Sequence, residues 1–238
     1  MNGYRLLTLT FGLVDSLTRG SAAKLYSDYW RRALTMATAA SQLAALDDDV
    51  ANHDAYTGGL LADVGMLVFA QFHAEAYTEL CETAPHGPKL IDRERERFGY
   101  GHPTLGARLL QRWELPEHII DAVADHHGNP ETGTGLQIAV RTDDMIADAL
   151  WTPNSPNVTA VKLLTQRKFS LDTDGFIDLA LCCQREITEC AVAFNLQLQG
   201  SIDCDQLIKE ARRQHNEASL ETALELDSLI MAFEDRSC

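Results

Sequence analysis

The side chains of this chain whose types could do chemistry are histidines and carboxylates. Asp63 stands in the run Gly58-Gly59-Leu60-Leu61-Ala62-Asp63-Val64-Gly65-Met66-Leu67, His102 precedes Pro103, His126 and His127 are adjacent, and Asp144 follows Asp143. Neutral imidazole and carboxylate are firm ligands for a divalent ion, and such an ion can supply an activated water for hydrolysis. Each residue also has a local structural role open to it. Asp63 can cap a helix or pair with Arg32, and His102 can cap the helix that Pro103 opens. His126-His127 can close a helix, where an imidazolium meets the negative end of the dipole. Asp144 can pair with Arg141 or Arg108. The signatures of other chemistries are missing from the sequence: there is no Gly-x-Ser-x-Gly elbow, no phosphate-binding P-loop and no Gly-x-Gly-x-x-Gly. Gly133-Thr134-Gly135 is too short to cradle a phosphate and reads as a loop before a helix.

Helices have to position these groups. Apolar residues recur at intervals of three and four along most of the chain, and no segment alternates long enough to argue for a sheet. Tyr29 to Leu46 carries Trp30, Leu34, Ala37, Ala40, Leu43 and Ala44 as one stripe. Ala55 to Cys81 reads as two helices hinged near Gly65. Arg93-Glu94-Arg95-Glu96-Arg97 reads as a solvated helix face. His102-Pro103 and Pro116 each open a helix, and Leu136 to Leu150 forms another, which carries Asp143 and Asp144. Trp151 to Asn157, with two prolines, is a break. Asp174 to Leu198 is helical, with Phe176, Leu179, Ile187, Cys190 and Phe194 as its inner stripe. Residues 205–233 form a last, very polar helix suited to a connector or coiled coil.

Bulk properties narrow the function. The 238 residues are 45% hydrophobic with a net charge of −15. That is enough apolar material for a core, and the sign of the charge disfavours nucleic acid and anionic membrane surfaces as partners. The six cysteines include no Cys-x-x-Cys pair, so free thiols in a reducing compartment are expected. No secretory leader opens the chain, and apolar runs fall short of the ~20 residues of a membrane helix. A cytoplasmic protein is expected.

The order of blocks resembles a known family. Tyr29-Trp30-Arg31-Arg32-Ala33-Leu34 and Gly59-Leu60-Leu61-Ala62-Asp63-Val64-Gly65 are followed by Arg95-Glu96-Arg97-Phe98-Gly99-Tyr100-Gly101-His102-Pro103 and Gly106-Ala107-Arg108-Leu109-Leu110. Then come Trp113-Glu114-Leu115-Pro116, Ala122-Val123-Ala124-Asp125-His126-His127 and Asp143-Asp144-Met145-Ile146-Ala147. Together they are similar to the HDOD domain, the HD-related output domain of bacterial signalling proteins, over residues 4–199. The resemblance implies an all-α, multi-helix HD-like bundle in residues 1–199, with the N-terminal half of the family domain missing. An extended C-terminal signalling helix would occupy residues 200–238.

Catalytic HD and HD-GYP phosphohydrolases place their first two histidines where this chain has Arg32 and Ala62. What the resemblance leaves as ligands is Asp63, His102, His126, His127 and Asp144, a vestigial set. A guanidinium in a cation site repels the ion by ~4 kcal/mol at an effective dielectric of 20. No cofactor is therefore expected, with a divalent metal (Mn, Fe, Zn or Mg) as the alternative. The expected function is a non-catalytic signalling module that relays a stimulus to a protein partner by helix packing or dimerisation. That partner would be a GGDEF-type output domain or a second copy of the chain, engaged through residues 205–233. The alternatives are a degenerate metal-dependent phosphohydrolase acting on a nucleotide or cyclic dinucleotide, and an anion-binding domain in which Arg32 contacts phosphate.

Overall fold

The computed structural model describes residues 23–84, 86–152 and 157–193, with individual positions from 195 to 213. Among the described residues there are ten α-helices and no strand. We number them α1 (Ala23–Ala44), α2 (Asn52–Leu61), α3 (Val64–Phe72), α4 (Ala74–Thr83), α5 (Pro88–Phe98), α6 (His102–Arg112), α7 (Glu117–Ala124), α8 (Gly135–Trp151), α9 (Asn157–Phe169) and α10 (Thr173–Ala193).

The first of these is the central post. It packs against α2, α8 and α10, and Ala33, Ala37, Ala39, Ala40 and Ala44 are all buried along it. Small side chains let neighbouring backbones come close. Gly59 on α2 completes that contact, since a Cβ there would lie 2.6 Å from the carbonyl oxygen of Met36. Leu34, Met36, Leu43, Leu60, Leu61 and Leu67 are fully buried around this seam.

The apolar tract from Ala55 is divided differently from the sequence reading. It breaks at Ala62-Asp63 and again at His73, giving three helices where two were expected, and Gly65 lies inside α3. The reason is tertiary: a Cβ on Gly65 would sit 2.1 Å from the carbonyl oxygen of His102. Glycine is required there because α3 meets the start of α6 backbone to backbone, which sets Asp63 beside His102. We expect Gly65→Ala to cost about 1–3 kcal/mol by overpacking, read as a lower urea midpoint with an unchanged m-value.

Two further differences concern polar residues. The Arg93–Arg97 run is not wholly a solvated face. Leu90, Ile91 and Glu94 of α5 are buried, because Leu90, Glu94 and Phe98 share one side of the helix. His102 is the first residue of α6, whose cap position is Gly101, so its ring is free for other contacts. The expected loop at Gly133-Thr134-Gly135 is present: Thr134 starts α8 through a capping box with Gln137. The segment Asn52–Phe72 has the length and hydropathy of a membrane span, but it is 78% buried inside the bundle. The α10 stripe buries Phe176, Leu179 and Ile187, while Phe194 and most of 205–233 lie outside the described residues.

Candidate metal centre

Four parts of the bundle converge. The α2–α3 turn supplies Asp63, the start of α6 supplies His102, the loop after α7 supplies His126 and His127, and the middle of α8 supplies Asp144. Asp63 Oδ1 lies 3.4 Å from His102 Nε2 and 3.3 Å from His126 Nε2. His102 Nε2 and His127 Nε2 are 3.1 Å apart. One ligand atom from each of Asp63, His102, His126 and His127 falls within 4.8 Å of all the others. Asp63, His102 and His126 are buried and His127 is partly so.

Each imidazole is oriented from behind. His102 Nδ1 meets Glu94 Oε2 at 2.8 Å and Oε1 at 3.0 Å. His126 Nδ1 is 2.7 Å from the carbonyl oxygen of Val123, and His127 Nδ1 is 2.9 Å from Asp144 Oδ2. Glu94 is itself held by the Tyr77 hydroxyl, donating at 2.6 Å, and by the backbone N–H of His102 at 2.7 Å. Arg141 fastens the histidine loop to α8: it donates to the carbonyls of Asp125, Asn129 and Thr132 and pairs with the Asp125 carboxylate.

Arg32 approaches from the other side. Its Nε reaches Asp63 Oδ2 at 3.4 Å, Nη2 reaches Asp144 Oδ1 at 2.6 Å, and Nη1 reaches Asp148 Oδ1 at 3.0 Å. The Arg32 side chain is only 6% exposed, so the guanidinium is directed at carboxylates inside the fold. That differs from the reading in which it faces a phosphate. Asp144 likewise pairs with Arg32 and His127 rather than with Arg141 or Arg108. Asp63 occupies the position before α3, but its side chain makes no capping bond. Ala62 is buried in a small apolar cluster with Met36, Ala40 and Ile119.

The charges are strongly coupled. Burial would raise the Asp63 carboxyl, but hydrogen bonds from His102 and His126 and the charge of Arg32 hold it well below the usual range. Burial alone would lower His102, yet its bonds to Asp63 and Glu94 push it up to about 9. Burial and the neighbouring His127 push His126 down. Asp144 is lowered as well: burial opposes this, but His127 and Arg32 outweigh it. His86, half-buried in the loop before α5, is pushed down to about 3 by burial and by Arg32.

Sequence reasoning missed Glu94, Asp148 and His86. Asp148 lies four residues after Asp144 on one face of α8, and Glu94 lies on the inner stripe of α5, so both carried a signal at helical spacing. His86 carried none.

As a ligand set, three imidazoles and a carboxylate suit a borderline divalent ion such as zinc. Nε2 of fully buried His126 faces Asp63 Oδ1 at 3.3 Å without a well-formed hydrogen bond, which leaves it open to such an ion. When bound, an ion of this kind would act as a Lewis acid and polarise an attached water.

The helical bundle and its histidine–carboxylate cluster define an HD-type domain. The chain belongs to the HDOD domain family, whose model matches residues 1–129. Among solved structures it is similar to the MmoQ response regulator of Methylococcus capsulatus str. Bath, at 30% identity and a TM-score of 0.56, covering 71% of this chain and 68% of that one. A structure from Shewanella amazonensis SB2B shares the fold at 17% identity and a TM-score of 0.53, covering 78% of this chain and 71% of that one. Ribonuclease Y of Acholeplasma laidlawii (strain PG-8A) is 31% identical over 126 residues, which is 51% of this chain and 23% of that protein. The chain spans between 20% and 23% of the length of the curated relatives it matches.

Proposed function

We propose that this HDOD domain is a non-catalytic cytoplasmic signalling module that passes a stimulus to an output partner by helix packing or dimerisation. The observation that carries this reading is the triplet of ion pairs that Arg32 makes with Asp63, Asp144 and Asp148. A metal-dependent hydrolase needs carboxylates free to hold ions and a coordination position open to water. Here a tethered cation takes up one oxygen of Asp63 and one of Asp144. The likeness to MmoQ, named as a response regulator, supports a signalling role. The partner would be a GGDEF-type output domain or a second copy of the chain, met through residues 205–233.

Two measurements test this together. The purified chain should release no phosphate or nucleotide product from mononucleotides, cyclic dinucleotides or short RNA, with Mn(II), Fe(II), Zn(II) or Mg(II) added. Light scattering should show self-association that is lost when residues 205–233 are removed. Turnover that disappears in Asp63→Ala would replace the module with the alternative reading, a metal-dependent phosphohydrolase. That alternative is favoured by one observation, the convergence of Asp63 with three histidines. A chain that stays monomeric with and without the tail would remove homodimerisation as the route of relay.

A further inference from the structure

The end of α10 is set by backbone geometry. Asn195 stands in the left-handed conformation at φ 50°, which asparagine tolerates better than most residues. The N–H of Leu196 reaches back to the carbonyl of Ala191 at 2.9 Å, and that of Asn195 to the carbonyl of Val192 at 3.3 Å. These are the two bonds of a Schellman cap. The chain reverses there. Gln184 Nε2 donates to the carbonyl of Ile202 at 3.1 Å, and the Cys204 thiol lies 4.0 Å from the carbonyl of Ala180. Residues 202–204 therefore run back along α10 toward its start.

Between the reversed chain, α10 and the end of α8 a groove of about 560 Å³ stays open. Its apolar walls include Trp151, Ile187, Ala191, Val192, Leu196 and Ile202, and Gln184, Thr188 and Asn195 add polar groups. Val192, at 79%, is the most exposed large hydrophobic side chain among the described residues. Leu181, also exposed, shares its row, since Leu181, Arg185, Thr188 and Val192 follow one another at steps of four, three and four. A contiguous apolar surface of this kind, rimmed by polar residues, marks a place where a chain meets a partner.

Residues 214–238 follow the last described position, and their sequence has a pattern that fits the groove. Leu220, Ala223, Leu226, Ile230 and Phe233 recur at intervals of three and four. Glu217, Glu221 and Glu225 fall four apart on the opposite side of the same helical projection. One side suits an apolar groove and the other suits water. The lengths also agree: the groove follows α10 from Gln184 to Val192, about 12 Å of helix, and Leu226 to Phe233 needs about 10 Å.

We propose that the groove receives residues 220–233 of a second copy of the chain, two copies exchanging their C-terminal segments about a twofold axis. The chain's own segment is poorly placed for this. At Cys204 the chain is travelling toward the start of α10, while the groove lies at its end. This inference rests on the self-association proposed above and names the surface that the tail meets: α10 with the end of α8, not another tail.

Sedimentation velocity on the full chain over a range of concentrations tests it. Val192→Glu, at a position already in solvent, should leave the melting temperature unchanged. It should weaken the dimer at least roughly tenfold, because it places a charge in an apolar contact. Leu226→Glu should weaken it as much. Mixing the two variants should restore part of the association, since an intact groove then meets an intact tail. Thr188→Arg, at another exposed position lining the groove, carries the test should Val192→Glu not fold. Dimers that ignore both groove variants but are lost in Leu226→Glu overturn the proposal and leave the relay reading standing, with tails pairing to each other. Variants that are each weakened but do not complement one another also overturn it. A wild-type chain that is monomeric at every concentration overturns this proposal together with the dimerisation on which it rests.

Discussion

Replacing Arg32 by Leu should lower the unfolding free energy by about 3–5 kcal/mol, because it leaves buried carboxylates without their counter-charge. For a domain of this size that is a fall of roughly 6–20 °C in melting temperature, measurable by calorimetry. The basis is one guanidinium shared by Asp63, Asp144 and Asp148, whose side chains are 2%, 15% and 34% exposed. Asp148, in contact with solvent, contributes least. Arg32→Lys should recover only part of the loss, since one ammonium cannot meet three carboxylates from separate nitrogens. If Arg32→Leu melts with the wild type, the triplet is not holding α1 to α8 and the functional reading built on it fails.

Asp143→Asn should act in the opposite direction. Asp143 is fully buried, neither of its carboxylate oxygens has a hydrogen-bond partner among the described residues, and its pKa is raised well above the usual 3.8. Burial is the main cause, and the charges of Asp144 and Asp63 add to it against the pull of Arg32. The sign follows from proton linkage. The folded chain keeps the proton where the unfolded chain has lost it, so stability falls as pH rises above about 3.8 toward the folded value. The slope is about 1.4 kcal/mol per pH unit from this one group. Below that window the opposite slope operates, because Asp63 and Asp144 are lowered in the fold and gain stability as they ionise. Asparagine keeps the shape without the charge. The variant should match wild type near pH 4 and exceed it increasingly at neutral pH, as read from urea midpoints across a pH series. Equal midpoints at pH 7 would show that Asp143 finds a compensating charge.

The sequence carried much of this arrangement at the level of elements and little at the level of pairings. The α1 stripe from Trp30 to Ala44 and the helix opened by His102-Pro103 were readable from residue type and spacing, while the pairing of Arg32 with Asp63 was one of two alternatives that the family resemblance left open. Gly65 was readable as a special position but not as a contact, because its partner, the carbonyl of His102, lies 37 positions away in the 238-residue chain. Glu94 was concealed by composition. Flanked by arginines in a run of alternating charge, it resembles a solvated residue until its four-residue spacing from Leu90 and Phe98 is weighed. Which histidine nitrogen faces inward depends on Glu94, Val123 and Asp144, and only the fold brings these three together.

One part of the scaffold has a mechanical consequence. Arg141 ties the loop of His126 and His127 to α8 through several carbonyls, and α8 also carries Asp144 and ends at Trp151. The indole of Trp151 lies under the Arg31 guanidinium at 4.5 Å and donates to Thr35 Oγ1 at 2.8 Å, both on α1. The seven residue steps from Asp144 to Trp151 cover about 10 Å of helix. α8 is thus a stiff lever arm: any tilt imposed at the histidine cluster is delivered at the far end, against the face of α1 next to α10.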